Sequence, residues 1–484
     1  MRFIRLTCAI LGLGLPLAFA AAPAGAQTID DVAKAMGVGK AETLHYMGAG
    51  TVWSVGQSYR PNERWPRFNM VRGTRAFDLK QGIFISDIYV TQGENPPHGG
   101  GLQPIYGEQR RAGGVAGDKA WLVMGAFTVA SPRFLPTLRH DYWSSPHALV
   151  KAALADKAAV KKTPGGSAFG GAMFEVSRPG QWKARATFDR QNLVTRIESW
   201  VDSPVLGDMA AVTTYAGYKD VSGVKVPMRI QQSAGGHPIL DFKVSEVKVN
   251  AGGIAAPSAI REPAETVKAE KAADGVWFLA GGTHHSVAIE MRDHVILFEC
   301  PLGDERAIAV VEAVEKTIPG KPIRYAVASH HHFDHSGGLR ACAYEGATIV
   351  THAGNVPYFQ RAYAAPRSLS PDVLAKSGKK AAFLPVRDKL VLSDGERKLE
   401  IHLVKNNAHT DGLLVGYLPK EKILIVADAF SPREPVTAVP AQISPFTTNL
   451  WANLKQLKLD IDTVLPIHGR MAKMEELRLS AGAK

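Results

Sequence analysis

Cysteine is scarce in this chain of 484 residues, which contains only Cys8, Cys300 and Cys342. A dense disulfide framework of the kind that stabilises small secreted domains is therefore excluded. We expect Cys300 and Cys342 to be two buried thiols, and a single bridge between them is the alternative that the sequence leaves open.

Low-complexity composition is also absent, since 46 glycines and 30 prolines fall short of the ~25–30% that marks such chains. Beyond the N-terminus, no apolar run approaches the ~20 residues that a membrane-spanning helix requires. Apolar residues make up 45% of the chain and charged residues 21%, as in ordinary globular proteins. The length predicts two or three globular domains, because a domain usually has ~100–200 residues.

Acidic residues are fewer than basic ones, 45 against 57, and the formal net charge is +12. Such an excess is typical of proteins that bind nucleic acids or anionic surfaces. It lies mostly in residues 27–250, which contain 27 basic and 19 acidic side chains, whereas residues 251–484 contain 28 and 26. Because the second half is nearly neutral and has no evident stripe of Lys and Arg, we predict that the substrate is not a nucleic acid.

The N-terminus has the three parts of a secretory signal peptide. Arg2 and Arg5 precede the apolar run 6–22, and Ala24-Gly25-Ala26 forms a small-residue cleavage site. We predict that residues 1–26 are removed and that the mature protein is soluble and periplasmic or secreted. A membrane anchor is the less favoured alternative, because Pro16 and several glycines interrupt the run. The basic excess of the mature chain then predicts peripheral contact with envelope membranes.

Residues 27–255 are predicted to form a mainly antiparallel β domain, because short alternating runs recur between turn residues. Helices are expected over residues 29–36 and 147–160, and a long Gly-, Pro- and charge-rich loop over residues 91–118. Within that loop, Arg110 and Arg111 are interpreted as a solvated pair. The predicted strands include 44–54, 82–90, 120–124, 172–176, 182–188, 193–201, 210–218, 224–231 and 239–249.

The run from Phe188 to Asn250 resembles the sheet repeats of periplasmic lipoprotein carriers. That resemblance implies a curved antiparallel sheet around an apolar ligand. The alternative is a β domain that only packs against its neighbour. Residues 251–270, rich in Ala, Gly, Pro and alternating charge, are the predicted linker, and we place the domain boundary between residues 255 and 256.

Four candidate metal ligands occur within six residues after the predicted strand Ile323–Ser329. The segment reads His330-His331-His332-Phe333-Asp334-His335-Ser336-Gly337-Gly338. Imidazoles two residues apart on a turn can face the same way and bind one ion, and Asp334 and His335 can then face a second one. His331 is interpreted as a structural or exposed neighbour.

This segment resembles the His-x-His-x-Asp-His signature of the metallo-β-lactamase superfamily, and three later residues match its remaining ligands. His409 matches the third ligand of the first metal, Asp428 the carboxylate that bridges both metals, and His468 the last ligand of the second. Each follows a predicted strand: Lys398–Val404, Lys422–Val426 or Thr463–Pro466. The implied ligand sets are His330, His332 and His409 for the first ion, and Asp334, His335 and His468 for the second, with Asp428 between them.

The resemblance implies that residues 256–484 form an α/β domain with the αβ/βα sandwich fold of that superfamily. It predicts a first hairpin over residues 275–298, followed by a helix over residues 304–318. The superfamily usually has an aspartate at the end of this hairpin, and here either Glu299 or Cys300 takes that place. His284 and His285 lie in the hairpin turn, where His285 contacts substrate or both belong to a solvated turn.

The implied cofactor is a pair of zinc ions, because zinc suits nitrogen-rich ligation with carboxylates, and iron or a mixed pair is the alternative. Such a centre implies hydrolysis by a metal-bound hydroxide, with Asp334 as the catalytic residue that orients the nucleophile or relays its proton. We predict an ester, lactone, amide or sulfate-ester bond in a small-molecule or lipid-like substrate. A β-lactam is less favoured, because Asp428 stands where zinc β-lactamases have cysteine or another arrangement. The competing hypothesis is a periplasmic carrier or binding protein for an apolar ligand with a structural or vestigial metal domain.

Overall fold

The computed structural model describes residues 28–163, 172–178, 182–262 and 266–483. The predicted signal peptide lies outside these residues and stays a prediction. In the part of the chain that is described, no helix combines the length and the apolar character needed to cross a membrane.

The N-terminal part of the structure is built from short helices and antiparallel strands, as predicted. Its elements are α1 (Ile29–Met36), β1 (Thr43–Trp53), β2 (Arg67–Asp78), β3 (Ile83–Gln92), β4 (Gln109–Ala116), β5 (Lys119–Met124), β6 (Phe127–Ala130), α2 (Leu135–Trp143), α3 (Pro146–Ala155), β7 (Val160–Lys162), β8 (Met173–Arg178), β9 (Trp182–Phe188), β10 (Val194–Ser203), β11 (Gly207–Ala216), β12 (Lys219–Val221), β13 (Val224–Val226), β14 (Arg229–Ala234) and β15 (His237–Val249). The strands form one sheet of 13, in the order β6-β5-β4-β3-β2-β1-β15-β14-β11-β10-β9-β8-β7, and β12 pairs with β13 in a separate hairpin.

The helices of this part pack on the large sheet. Leu149, Val150 and Ala153 of α3 belong to the same apolar core as Phe68 of β2 and Phe242 of β15. Burying such side chains is the main free-energy gain that holds a helix on a sheet. The chain's own helices therefore cover this face of the sheet, and binding of an apolar ligand by the N-terminal part stays a prediction.

Three local predictions for this part were wrong. The helix expected over residues 147–160 ends at Ala155, and β7 begins at Val160. Residues 91–118 are not one long loop, because they contain β4, in which Arg110 binds Asp87 at 2.8 Å and Arg111 stacks over Phe68. Burial lowers the pKa of Arg111 to about 10, so this pair is not simply solvated. The expected strand 224–231 is two strands, β13 and β14, separated at Pro227, which has no N–H to donate to a sheet ladder.

The C-terminal part is an α/β structure whose first strand, β16, begins within the predicted linker. Its elements are β16 (Lys268–Ala273), β17 (Val276–Ala280), β18 (Ser286–Glu290), β19 (Val295–Phe298), α4 (Asp304–Thr317), β20 (Ile323–Val327), α5 (Phe333–Ser336), α6 (Leu339–Tyr344), β21 (Thr348–His352), α7 (Val356–Ala364), α8 (Val373–Ser377), β22 (Phe383–Val386), β23 (Lys389–Ser393), β24 (Lys398–Leu403), β25 (Leu414–Leu418), β26 (Ile423–Val426), α9 (Pro445–Leu457), β27 (Thr463–Pro466), β28 (Ala472–Lys473) and α10 (Met474–Ser480).

Two sheets pack face to face in this part, one running from β16 to β22 and the other from β23 to β28. Apolar side chains of both sheets, such as Phe298 and Ile425, share the central core. Helices α4, α6 and α7 pack on the outer face of the first sheet, and α9 and α10 on that of the second. This arrangement of helix, sheet, sheet and helix confirms the predicted αβ/βα sandwich.

The two cysteines of the predicted mature chain form a disulfide, so the expectation of two buried thiols was wrong. Cys300 follows β19 and Cys342 lies in α6, 42 residues later. Helix α6 packs beside the end of β19 and brings the two Cα atoms to 6.7 Å, within the range that a disulfide spans. Both residues are fully buried.

Candidate metal centre

The predicted ligands meet at one end of the two packed sheets. The segment with His330, His332 and His335 leaves β20, and Asp428 and His468 directly follow β26 and β27. Because β26 and β27 are parallel, their carboxyl ends reach the same edge of the sheet. His409 lies between β24 and β25. Residues that are up to 138 positions apart are therefore gathered in one place.

The first group of ligand atoms consists of His330, His332 and His409, as the resemblance implied. His330 Nε2 lies 2.9 Å from His332 Nδ1 and 3.4 Å from His409 Nε2. All three side chains are almost completely buried.

The second group differs in one member from the implied set. It combines His335 and His468 with His284 from the turn between β17 and β18. His335 Nε2 lies 3.2 Å from His468 Nε2, and the ring of His284 lies 4.2 Å from that of His468, measured between centroids. His284 is only 4% exposed, so the expectation of a solvated turn was wrong for this residue.

Asp428 lies between the two groups. Its Oδ2 is 3.3 Å from His330 Nε2, 2.8 Å from His335 Nε2 and 3.4 Å from His409 Nε2, while Oδ1 is 3.3 Å from His468 Nε2. Oδ2 is buried, and its shortest contact among these nitrogens is the one to His335. A buried carboxylate is costly unless cationic groups compensate its charge. The buried carboxylate and the nitrogens that converge on it from both groups therefore fit a bridging carboxylate of a two-metal site.

Four of the imidazoles contact an outer partner through the ring nitrogen that points away from the centre. His330 Nδ1 contacts Ser329 Oγ, His332 Nε2 donates to Ser58 O, and His468 Nδ1 donates to Thr283 O, all at 2.7–2.8 Å. His335 Nδ1 lies 2.8 Å from Glu299 Oε2. A metal-bound histidine typically has such an outer partner, which fixes the ring and its tautomer. Burial keeps His330 and His332 neutral, so their inner nitrogens are free to bind an ion, whereas the carboxylates of Asp428 and Glu299 outweigh burial and raise the pKa of His335 well above the ordinary histidine value.

Glu299 rather than Cys300 takes the outer position at the end of the first hairpin. Its Oε2 contacts His335, and its Oε1 accepts the backbone N–H of Ser329 at 2.7 Å. Cys300 is engaged in the disulfide and supplies no polar contact to the centre.

Asp334 lies at the mouth of the centre and belongs to none of the three close ligand groups found among the described residues. Its Oδ1 accepts a hydrogen bond from Gln57 Nε2 at 2.7 Å, and its Oδ2 lies 3.3 Å from His284 Nε2. The side chain is 31% exposed. Asp334 can therefore be reached from solvent on the open side of the centre.

Burial and charge act in opposite directions on the titrating groups. Burial lowers the pKa of His330 and His332 well below the ordinary histidine value and that of His284 to about 3, which keeps these rings neutral and able to bind metal. Burial alone would raise the pKa of Asp334, but the charge of His335 and the hydrogen bond from His284 outweigh it and lower that pKa.

The neighbouring histidines have structural contacts. His331 is buried between Ser58 Oγ and Thr410 Oγ1, at 3.2 and 3.4 Å. His285 Nε2 donates to Gly469 O at 2.7 Å and thereby ties the hairpin turn to the segment that carries His468. His331 is therefore a structural neighbour, as expected, and His285 is buried in the fold rather than solvated.

Sequence reasoning missed His284 as part of the ligand cluster and Gln57 as the partner of Asp334. The His284-His285 pair was a visible signal, but the sequence did not indicate which ring faces the centre. Gln57 carried no signal at all, since it lies 277 residues from Asp334.

We expect His284→Ala to lower the affinity for one of two metal ions by about tenfold or more, because a nitrogen beside His335 and His468 is lost. Metal content measured by mass spectrometry after dialysis against a weak chelator would reveal the loss. His294→Ala is the matched control, since His294 is also buried beside an aspartate but lies in the turn between β18 and β19. Equal retention of both ions by His284→Ala and the control would contradict a ligand role for His284.

Comparison with known proteins gave a family match for the C-terminal part. Residues 279–468 match the model of the metallo-beta-lactamase superfamily. A comparison with curated proteins gave no match. Similar solved structures include a metallo-beta-lactamase from Pontibacter korlensis (19% identity over 45% of this chain and 98% of that chain, TM-score 0.34). They also include the metallo-beta-lactamase FIM-1 from Pseudomonas aeruginosa in its mono-zinc form (21% identity, 45% and 94%, TM-score 0.32) and the rubredoxin oxygen:oxidoreductase of Desulfovibrio gigas (16% identity, 44% and 61%, TM-score 0.36).

The family match spans β18 to β27 and includes every predicted ligand from His330 to His468. The sandwich fold and the gathered histidines agree with it. The C-terminal part of this chain, residues 279–468, is therefore a domain of the metallo-beta-lactamase superfamily.

Proposed function

We propose that the protein is an exported hydrolase that uses two metal ions, zinc in the first instance, to cleave an ester, lactone, amide or sulfate-ester bond. The observation that carries the proposal is the buried carboxylate of Asp428, which lies within 3.4 Å of imidazole nitrogens from both histidine groups. When bound, a pair of such ions supplies Lewis-acid activation of water and of the bond to be cleaved.

Asp334 is the residue that we assign to proton handling. A carboxylate acts as a general base only where it is ionised and within reach of the proton. Its lowered pKa keeps Asp334 charged at neutral pH, and the hydrogen bond from Gln57 fixes one of its oxygens. The other oxygen faces His284 at the mouth of the centre, where it can orient an attacking water molecule and take its proton.

Accessibility supports an enzyme rather than a closed structural site. Structural zinc sites are usually enclosed by four protein ligands. Here the side chains of Asp334, Asp428 and His468 are 31%, 18% and 21% exposed, whereas His330, His332 and His335 are buried. The exposed members lie together and leave one side open to a substrate. The carrier hypothesis offers no explanation for this opening.

An apolar or lipid-like part of the substrate is supported by exposed side chains near the mouth. Leu102 is 72% exposed and directly follows Gly101, whose N–H donates to the same Gln57 that binds Asp334. Tyr106, 52% exposed and four residues further along the same loop, donates a hydrogen bond to the backbone oxygen of Ile443. Exposed apolar side chains grouped beside a polar site are typical of ligand-binding surfaces.

Export is supported by the disulfide between Cys300 and Cys342, because such bonds persist in oxidising compartments such as the periplasm. Together with the predicted signal peptide, it favours a periplasmic or secreted protein. Peripheral contact with envelope membranes stays part of this proposal, on the basis of the basic N-terminal half.

The function is tested by metal analysis combined with a substrate panel on the mature chain. We expect about two zinc ions per chain and hydrolysis of at least one chromogenic ester, lactone, amide or sulfate ester. Chelation should abolish the activity, and added Zn²⁺ should restore it. Two bound ions without hydrolysis across this panel, extended to thioesters and β-lactams, would overturn the proposal.

A further inference from the structure

A segment of the N-terminal part, residues 54–60 between β1 and β2, lies directly on the metal-binding loops. The backbone N–H of Phe333 donates to Gly56 O at 3.2 Å, and that of Asp411 donates to Tyr59 O at 3.0 Å. Arg60 Nε also donates to the carboxylate of Asp411 at 2.6 Å. The segment therefore contacts both the loop after β20 and the loop that carries His409.

Both atoms of the Gln57 side-chain amide, and its backbone oxygen, have hydrogen-bond partners. Its Oε1 accepts the backbone N–H of Gly101 at 2.9 Å, and its backbone oxygen accepts that of Gly100 at the same distance. Because Oε1 is occupied by a donor, the amide nitrogen must face Asp334, to which it donates at 2.7 Å. The ionised carboxylate can only accept, so the orientation of the amide agrees with both partners.

The next residue of the segment supports a ligand of the first ion. The backbone oxygen of Ser58 accepts the Nε2–H of His332 at 2.8 Å. With its proton on Nε2, the ring presents an unprotonated Nδ1, and this atom lies 2.9 Å from His330 Nε2. The carbonyl thereby selects the tautomer that binds metal, as outer partners of metal-bound histidines do.

We infer that the N-terminal part is an integral component of the metal centre: Gln57 is a positioning residue for Asp334, and the Ser58 carbonyl is a positioning group for His332. This role deepens the proposed function, because it rests on the same metal centre. It does not depend on which bond is cleaved. The two domains of this chain are thus coupled through the outer contacts of the ligands.

The first test measures metal binding by the full mature chain. The protein is stripped with a chelator and titrated with Co²⁺, whose absorption bands report coordination. Because Asp334 Oδ2 contacts His284 of the second group, we expect Gln57→Leu to shift the bands of one of two cobalt sites and to weaken that site by up to about tenfold, with an unchanged melting temperature. Gln231→Leu is the matched control, because Gln231 also donates to an aspartate, Asp241, but on the exposed surface of β14.

The second test moves the whole segment. A Cβ at Gly56 would lie 2.2–2.6 Å from ring atoms of Phe333, so Gly56→Ala must move either the segment or the Phe333 ring and thereby disturb their contact after β20. Gly82→Ala is its control: both glycines have a left-handed φ, +76° and +73°, but a Cβ at Gly82 meets nothing within 4 Å. Both alanines therefore carry a similar backbone cost. We expect weaker cobalt binding in Gly56→Ala alone.

The outcomes separate this inference from the proposed function. Unchanged cobalt affinities and spectra in Gln57→Leu and Gly56→Ala, with hydrolysis intact, would overturn the coupling and leave the function standing. Altered cobalt binding in a protein that hydrolyses no member of the panel would support the coupling and overturn the function. A full chain that binds no Co²⁺ would overturn both.

Discussion

Asp428→Asn is expected to abolish retention of a two-metal centre and, with it, the hydrolytic activity. The carboxylate lies within 3.4 Å of nitrogens from His330, His335, His409 and His468. Its negative charge offsets the repulsion between two divalent ions, and a neutral amide cannot do so. We expect the affinity for at least one ion to fall by more than about 100-fold, since even outer partners contribute 10–100-fold.

Asparagine suits this test because the backbone can accommodate it. Asp428 has a left-handed φ of 47°, a conformation that Asn and Asp tolerate better than other non-glycine residues. Metal content after dialysis and hydrolysis of the best panel substrate are the two measurements. Asp462→Asn serves as the control, because Asp462 is 62% exposed and pairs with Lys473. Two ions retained by Asp428→Asn at the affinity of the natural chain would refute the bridging role.

Asp334→Ala is expected to abolish hydrolysis while the fold is retained. The substitution removes a charged proton acceptor at the mouth of the centre, and such groups contribute about 10²–10⁴-fold to the rate. The change should appear mainly in kcat. Because the side chain is partly exposed and its hydrogen bond to Gln57 is at the surface of the centre, we expect little change in the melting temperature.

The control for Asp334→Ala is another aspartate beside a histidine. Asp293 contacts His294 at 2.7 Å in the turn between β18 and β19, so Asp293→Ala breaks a similar pair away from the centre. Steady-state kinetics on both variants, with metal content measured in parallel, separate catalysis from metal binding. Full kcat in a metal-loaded Asp334→Ala protein would exclude the role that we assign to Asp334.

Much of this metal centre could be predicted from local sequence, because its metal-binding loops follow strands. The strands before Asp428 and His468 are mostly apolar and buried, which is typical of strands covered on both faces, whereas the strand before His330 contains the exposed Arg324. The ends of β20, β26 and β27 lie within two residues of their predicted positions. The resemblance of the histidine motif to the metallo-β-lactamase signature, together with these strands, therefore predicted the sandwich fold and most of the residues that it gathers.

Long-range contacts were beyond the sequence. The choice between Glu299 and Cys300 depended on α6, which packs beside the end of β19 and engages Cys300 in the disulfide. The strand β4 was not predicted, because Arg110 and Arg111 were interpreted as a solvated pair in a loop. Their partners, Asp87 and Phe68, belong to other strands. In both cases the deciding partner is distant in sequence, and periodicity reports only on neighbours along the chain.

The sequence by itself determined most of the residues able to bind metal, because ligand chemistry and strand patterns are local, and its motif implied the class of the C-terminal fold by resemblance. Only the tertiary structure decided which further residue joins the ligand groups and which outer partners position them. It turned His284 inward beside His335 and His468, and it brought Gln57 from the N-terminal part of the chain to Asp334. The physical reason is that a hydrogen bond between residues 277 positions apart depends on how whole sheets pack, and neither residue shows this in its local sequence.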